Sequence, residues 1–195
     1  MKFKSTFCRS LLLCASFAVA GVTATQTMAQ TTARVYNANI TETEVLAAQR
    51  AWGNALIQIS DDYTKSGFEK ARSTAATIID AAYGYNMGPV LFKPTLTSNP
   101  QTFRTTREGA LSYFVGGDPK YPKDSGFALK GWKAVDIENV ALHINGDVAN
   151  TMGNVTFTDK DGKKTTVDKT WTFKKDDNNM VRIVLHHSSL QYTPN

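Results

Sequence analysis

Cysteine is nearly absent from this chain, and the little there is lies where it cannot serve a folded domain. Cys8 and Cys14 are the two thiols, and both fall in MKFKSTFCRSLLLCASFAVAGVTATQTMAQ. There Lys2, Lys4 and Arg9 surround the start of an apolar run from Leu11 to Val22 that gives way to small residues. That pattern reads as a secretory signal. The run is shorter than the about 20 apolar residues of a spanning helix, and no second transmembrane candidate follows it. Thr27-Met28-Ala29 before Gln30 is the expected cleavage point, with Ala18-Val19-Ala20 as second choice, and the bulky Leu13 before Cys14 speaks against lipidation. The expected organisation is a signal over 1–29, a flexible polar entry segment over 30–40 and one domain over 41–195, in a periplasmic or secreted protein. Such a domain has no disulfide, no cysteine nucleophile and no thiolate ligand.

Positive charge is also scarcer than the totals suggest. The formal charge of +5 includes Lys2, Lys4 and Arg9, and removing the signal takes away no acidic residue, which leaves +2. No basic block or basic helix face remains, so nucleic acid is not an expected partner, and neither is a membrane. Familiar signatures are missing as well. There is no GxGxxG, P-loop, GxSxG or HExxH, which removes the sequence warrant for the common nucleotide-binding, hydrolase and zincin classes.

What is present is an ordered change of texture. TETEVLAAQRAWGNALIQISDDYTKSG opens with a Thr41-x-x-Glu44 capping box, and Val45, Ala48, Trp52, Leu56 and Ile59 recur at helical spacing. That helix is expected to end near Gly67, and FEKARSTAATIIDAAYGY to form a second. VLFKPTLTS reads as a short extended segment, where Pro94 suits an edge or a bulge. Thr105 or Thr106 then caps a short helix carrying Ala110, Tyr113 and Phe114, which Gly116-Gly117 stops, and GDPKYPKDSGFALKG reads as a loop. From Trp132 to Tyr192, the turn signals Asn145-Gly146, Asp161-Gly162 and DDNN at 176–179 separate four runs, the pattern of an antiparallel meander. The expected fold is α+β, with a strongly curved sheet wrapped on the helices and a pocket between them.

Histidine is the remaining scarcity: His143, His186 and His187 are all there are. Alternation along a strand sends adjacent His186 and His187 to opposite faces, whereas ligands converging on one metal from a strand are spaced H-x-H. It groups Val184, His186 and Ser188 on one side and Leu185, His187 and Ser189 on the other. A Ser-His pair alone lacks the orienting acid and oxyanion hole of a hydrolase, and an ordinary closing strand explains the same residues. Trp171 and Phe173 share a face and read as core or dimer interface. Arg104 and Arg107 flank a helix start and read as solvated ion-pairing groups. Tyr113 reads as a buried phenol in need of a partner.

The order of elements resembles the nuclear transport factor 2-like fold, a cone with a cavity. Within that fold FKPTLT, REGALSYF, GFALKGW and HHSS resemble the iota-class carbonic anhydrases, akin to the calmodulin-dependent kinase II association domain, over about residues 41–192. The resemblance implies reversible hydration of CO2, with CO2, bicarbonate and small anions as partners and a homodimer formed through the outer sheet face. It implies no metal cofactor, with zinc or manganese as the alternative. It also implies a catalytic set of Thr95, Tyr113 and Ser188 that holds substrate and water, with His186 or His187 as a proton carrier or pocket residue. One departure is visible: the family pattern HHHSS has Leu185 in place of its first histidine. Because this fold also hosts carriers and assembly domains, a non-catalytic ligand-binding or association module is the competing expectation.

Overall fold

The computed structural model describes residues 38–194, so the expected signal and most of the entry segment lie outside the described residues. Helix α1 (Glu42–Ala82) begins at the expected capping box. The Thr41 hydroxyl accepts from the Glu44 amide at 3.3 Å, and the Glu44 carboxylate accepts from the Thr41 amide at 2.8 Å, satisfying two donors that a helix start leaves free. The two expected helices are the two halves of α1, joined at Gly67, whose φ of +79° breaks the helical path in a region that suits a residue without Cβ. Ile40, expected in the loose entry segment, is already buried, and its amide donates to the Gly146 carbonyl at 2.9 Å.

Strand β1 (Leu91–Lys93) ends at Pro94, which has no N–H to continue a ladder. Helix α2 (Arg107–Val115) is capped by the Thr106 hydroxyl and closed by Gly116 at φ +69°. The stretch expected as a loop contains one 3-10 turn, Phe127–Leu129. Strands β2 (Ala134–Asn145), β3 (Val148–Thr158), β4 (Lys164–Lys175) and β5 (Val181–Leu190) then form the meander that the turn residues indicated. They make a mixed five-stranded sheet in the order β1-β5-β4-β3-β2. Among the pairings of these five strands, β1–β5 is the parallel one, with Phe92 beside His186 and Lys93 beside His187.

One face of this sheet packs on α1. Gly53 of α1 lets the helix approach β2 so closely that a Cβ there would stand 3.2 Å from Val135. The Gln49 amide exchanges two hydrogen bonds with Asn139, at 2.9 and 2.8 Å, and reaches Thr151 at 3.2 Å. Asn139 stands at a register slip in β2, and opposite it a side chain at Gly153 would collide with the Glu138 carbonyl. A second slip, between Thr172 and Phe173 of β4 against β5, corrects the grouping expected from alternation. Here β5 carries an extra residue, so Ile183 rather than Val184 joins His186 and Ser188 in the buried set. Trp171 and Phe173 are core residues. Each apolar side chain buried in this way contributes on the order of 1.5–3 kcal/mol before entropy is counted.

Candidate functional site

The chain beyond β1 cannot continue as a strand past Pro94, and it turns across the end of β5. This places Thr95 Oγ1 2.6 Å from Ser188 Oγ. Ser188 is 1% exposed, one residue beyond the last β1–β5 pair, Lys93 with His187. Tyr113 enters from α2, which is buried from Gly109 to Val115. Its phenol faces Thr95 and Leu96; burial pushes its pKa up and the polar groups of these two residues oppose the rise. Its ring stacks on Phe127 at 5.4 Å and meets the edge of Phe92 at 5.6 Å. Three hydroxyls from three elements therefore converge. A cavity leading to Tyr113 is lined by Leu96, Asp124, Ser125, Phe127 and Lys130.

The loops bearing these residues are held by a buried ion pair. Arg104, expected at the surface, is 3% exposed and donates to Asp124 at 2.8 Å, while the other Asp124 oxygen accepts from Ser112 at 2.8 Å. Arg104 also bonds the Gln101 carbonyl and lies 4.7 Å over the Tyr121 ring. No local pattern signals this burial, because the partner lies 20 residues on, in an irregular segment. Arg107 matches its expectation, pairing with Asp80 at the surface.

The histidines part as alternation requires. His187 is exposed and His186 is 2% exposed, stacked 4.4 Å from Phe92. His143 is exposed on β2, and among the described residues no three His, Cys, Asp or Glu side chains are grouped as metal ligands. His186 was expected as a possible carrier of protons to solvent. Its ring is instead enclosed, with Nδ1 2.8 Å from the Tyr83 hydroxyl and Nε2 2.7 Å from Lys169 Nζ. Trp52 Nε1 donates to the same Tyr83 oxygen at 3.0 Å.

One arrangement of this chain of four side chains gives the indole, phenol and imidazole hydrogens an acceptor each. An indole N–H can only donate, so the Tyr83 oxygen accepts from it and passes its own hydrogen to His186 Nδ1. The neutral ring then carries its hydrogen on Nε2, directed at Lys169, and an amine nitrogen accepts it only when uncharged. The reverse arrangement, an ammonium donating to Nε2, points Nδ1–H at an oxygen already accepting from Trp52. The phenol hydrogen is then stranded, at a cost of about 1–3 kcal/mol. Burial agrees with the first arrangement, because it pushes the pKa of both Lys169 and His186 well down. Lys169, 4% exposed, was missed in the sequence. The signal was its register: Val167, Lys169, Trp171 and Phe173 alternate onto the buried face.

A family model described as metal-independent carbonic anhydrase matches residues 43–190. A metal-independent carbonic anhydrase of Nostoc sp. (strain PCC 7120 / SAG 25.82 / UTEX 2576) is 60% identical over 158 residues, spanning 81% of this chain and 77% of the relative. The crystal structure of an iota-carbonic anhydrase from a cyanobacterium, complexed with bicarbonate, matches with a TM-score of 0.82 at 58% identity, covering 83% of this chain and 99% of that one. A putative calcium/calmodulin dependent protein kinase II association domain from Xanthomonas campestris matches with a TM-score of 0.51 at 22% identity, covering 81% and 93%, and shares the fold alone.

The neutral pair has a thermodynamic signature. The unfolded chain takes up protons that the folded Lys169 and His186 refuse, so stability falls as pH falls below about 10.4 for Lys169 and below about 6.5 for His186, down to each folded pKa. In its window each group contributes a slope of about 1.4 kcal/mol per pH unit. Denaturant unfolding of Lys169→Met against the parent, from pH 10 to pH 7, should show the variant gaining relative stability as pH falls. A difference independent of pH would mean that Lys169 is charged in the folded protein.

Proposed function

The chain belongs to the metal-independent carbonic anhydrase family, and on that premise we propose that Thr95, Tyr113 and Ser188 hold the water that adds to CO2. The protein is a carbonic anhydrase and interconverts CO2 and bicarbonate. The observation that carries the assignment of the site is the 2.6 Å contact between Thr95 and Ser188, with the Tyr113 phenol against Thr95. The bicarbonate complex of the cyanobacterial relative supports an anion site in this fold.

The chemistry follows from what hydroxyls supply. Bulk water has a pKa of 15.7, and a zinc ion lowers that of its bound water to about 7. Neutral hydroxyls cannot match such a charge. They fix the water in line with the CO2 carbon, which removes orientational entropy from the barrier. They also direct pre-set donors at the oxygens on which charge develops. Phe92, Phe127 and Tyr113 give the site the dry walls in which such donors act strongly. On this reading the sheet curves around α2 and encloses a pocket whose mouth is the cavity beside Lys130.

Two further parts concern assembly and export. Val140 and Met152 are 78% and 63% exposed on neighbouring strands, and such apolar groups on an open sheet face suit a second copy of the chain. The basic and apolar pattern of residues 1–29 suits export. Sedimentation of the exported protein should give a dimer, and N-terminal sequencing should begin at Gln30; a monomer at micromolar concentration, or a retained Met1, removes the respective part.

The site is tested by CO2 hydration after exhaustive chelation. Activity should persist, and Tyr113→Phe and Ser188→Ala should each lower kcat/KM by roughly 100-fold or more, the loss typical for one transition-state donor. Activity that vanishes with chelator and returns with one metal would overturn the metal-free mechanism. Variants as active as the parent would overturn the site.

A further inference from the structure

Lys169 is a lysine in the middle of an apolar face, and packing gives no reason for it. Its ladder partner on β5 is Ser188, and both side chains are buried on the same side of the sheet. Cross-strand neighbours of this kind bring their Cβ atoms within about 4.5–5.5 Å, so the Lys169 and Ser188 side chains leave the sheet side by side on its buried face. Among the described residues no carboxylate pairs with it. His186 and His187 from β5 and Lys93 from β1 are titratable groups that interact with it, and Lys93 disfavours a second positive charge nearby. The other walls are uncharged: the Trp52 ring of α1 at 4.8 Å, the Trp171 ring of β4 at 5.2 Å and the Phe157 ring of β3 at 6.0 Å.

We propose that Lys169, held as a free amine by the Trp52–Tyr83–His186 chain, is the base that takes the proton of the water as it adds to CO2. The proposal rests on the assignment of Ser188 to the water site. The water oxygen forms a bond to the CO2 carbon, and one C=O electron pair moves onto oxygen. The proton lost by the water passes through the Ser188 hydroxyl to the Nζ lone pair. Neutral CO2, water and amine thus become bicarbonate and ammonium, with the cation formed next to the anion it stabilises.

The surroundings make the ammonium reachable but brief. Three aromatic faces attract a cation, which offsets part of its desolvation. An ammonium cannot accept from His186 Nε2–H, however, so protonation breaks that 2.7 Å contact and favours return to the amine. The proton leaves through Ser188, Thr95 and Tyr113 to solvent as bicarbonate departs. An apolar side chain of the same length would fill the same space but would leave His186 Nε2–H without its acceptor.

The test combines kinetics and spectroscopy on the full chain. Folded Lys169→Met should lose roughly 100-fold or more in CO2 hydration kcat, the usual scale of a lost general base. Lys169→Ala should recover at least tenfold with added methylamine, in step with the free-amine fraction. Wild-type protein labelled with 15N-lysine should show one Nζ signal in the amine form at neutral pH, a measurement that does not depend on any variant folding. Lysines that are all ammonium, or a folded Lys169→Met within tenfold of the parent, would overturn the base while leaving the carbonic anhydrase reading intact. An inactive wild type would instead overturn that reading.

Discussion

The constraint on which the rest of this structure depends is that its polar interior has to be electrically neutral. Ser188, Lys169, His186 and Tyr83 are all buried, and at such depth an unpaired charge is prohibitive while an unpaired hydrogen is merely costly. The chain from Trp52 through Tyr83 and His186 to Lys169 resolves this by giving the indole, phenol and imidazole donors one acceptor each. A single direction of hydrogen bonding follows, and with it the protonation state of every member. On the proposed assignment, the same low dielectric would give the three hydroxyls leverage on a transition state that they would not have in water.

The site is assembled at a sheet edge because two requirements meet there. A short parallel strand pairs with β5 as far as His187, and the proline after it forces the chain to turn so that Thr95 drops onto Ser188. Helix α2 closes the arrangement with Tyr113, and the Arg104–Asp124 pair ties the loops on either side of that helix. That pair is a full charge separation close to the site. It is tolerated because Ser112 and the Gln101 carbonyl engage the same groups, as a buried ion pair requires.

Much of the fold was legible because it is locally encoded. Thr41 and Glu44, Gly67, Thr106, Asn145-Gly146 and Asp161-Gly162 each act within a few residues, through backbone geometry that the side chain itself imposes. Alternation also placed His186 with Ser188 and apart from His187. It failed at Val184, where β5 carries an extra residue that pairing with β4 demands and no single strand announces. Thr95, Tyr113 and Ser188 were singled out through a family resemblance, since nothing in their spacing shows that they meet. Lys169 stood in plain register between Val167 and Trp171, but a lysine is ordinarily read as solvated, and only the partners from residues 52, 83 and 186 reveal otherwise. Arg104 was misplaced for a similar reason: burial of a charge depends on a distant partner.

The most direct test of the central claim, that three neutral hydroxyls form the reacting site, is a crystal structure of this chain with bicarbonate, grown from chelated protein. The anion should lie within hydrogen-bond reach, about 2.5–3.0 Å, of Ser188 Oγ, Thr95 Oγ1 and Tyr113 Oη, with no ion between. Bicarbonate bound away from Ser188, or held by a metal retained through chelation, would contradict it.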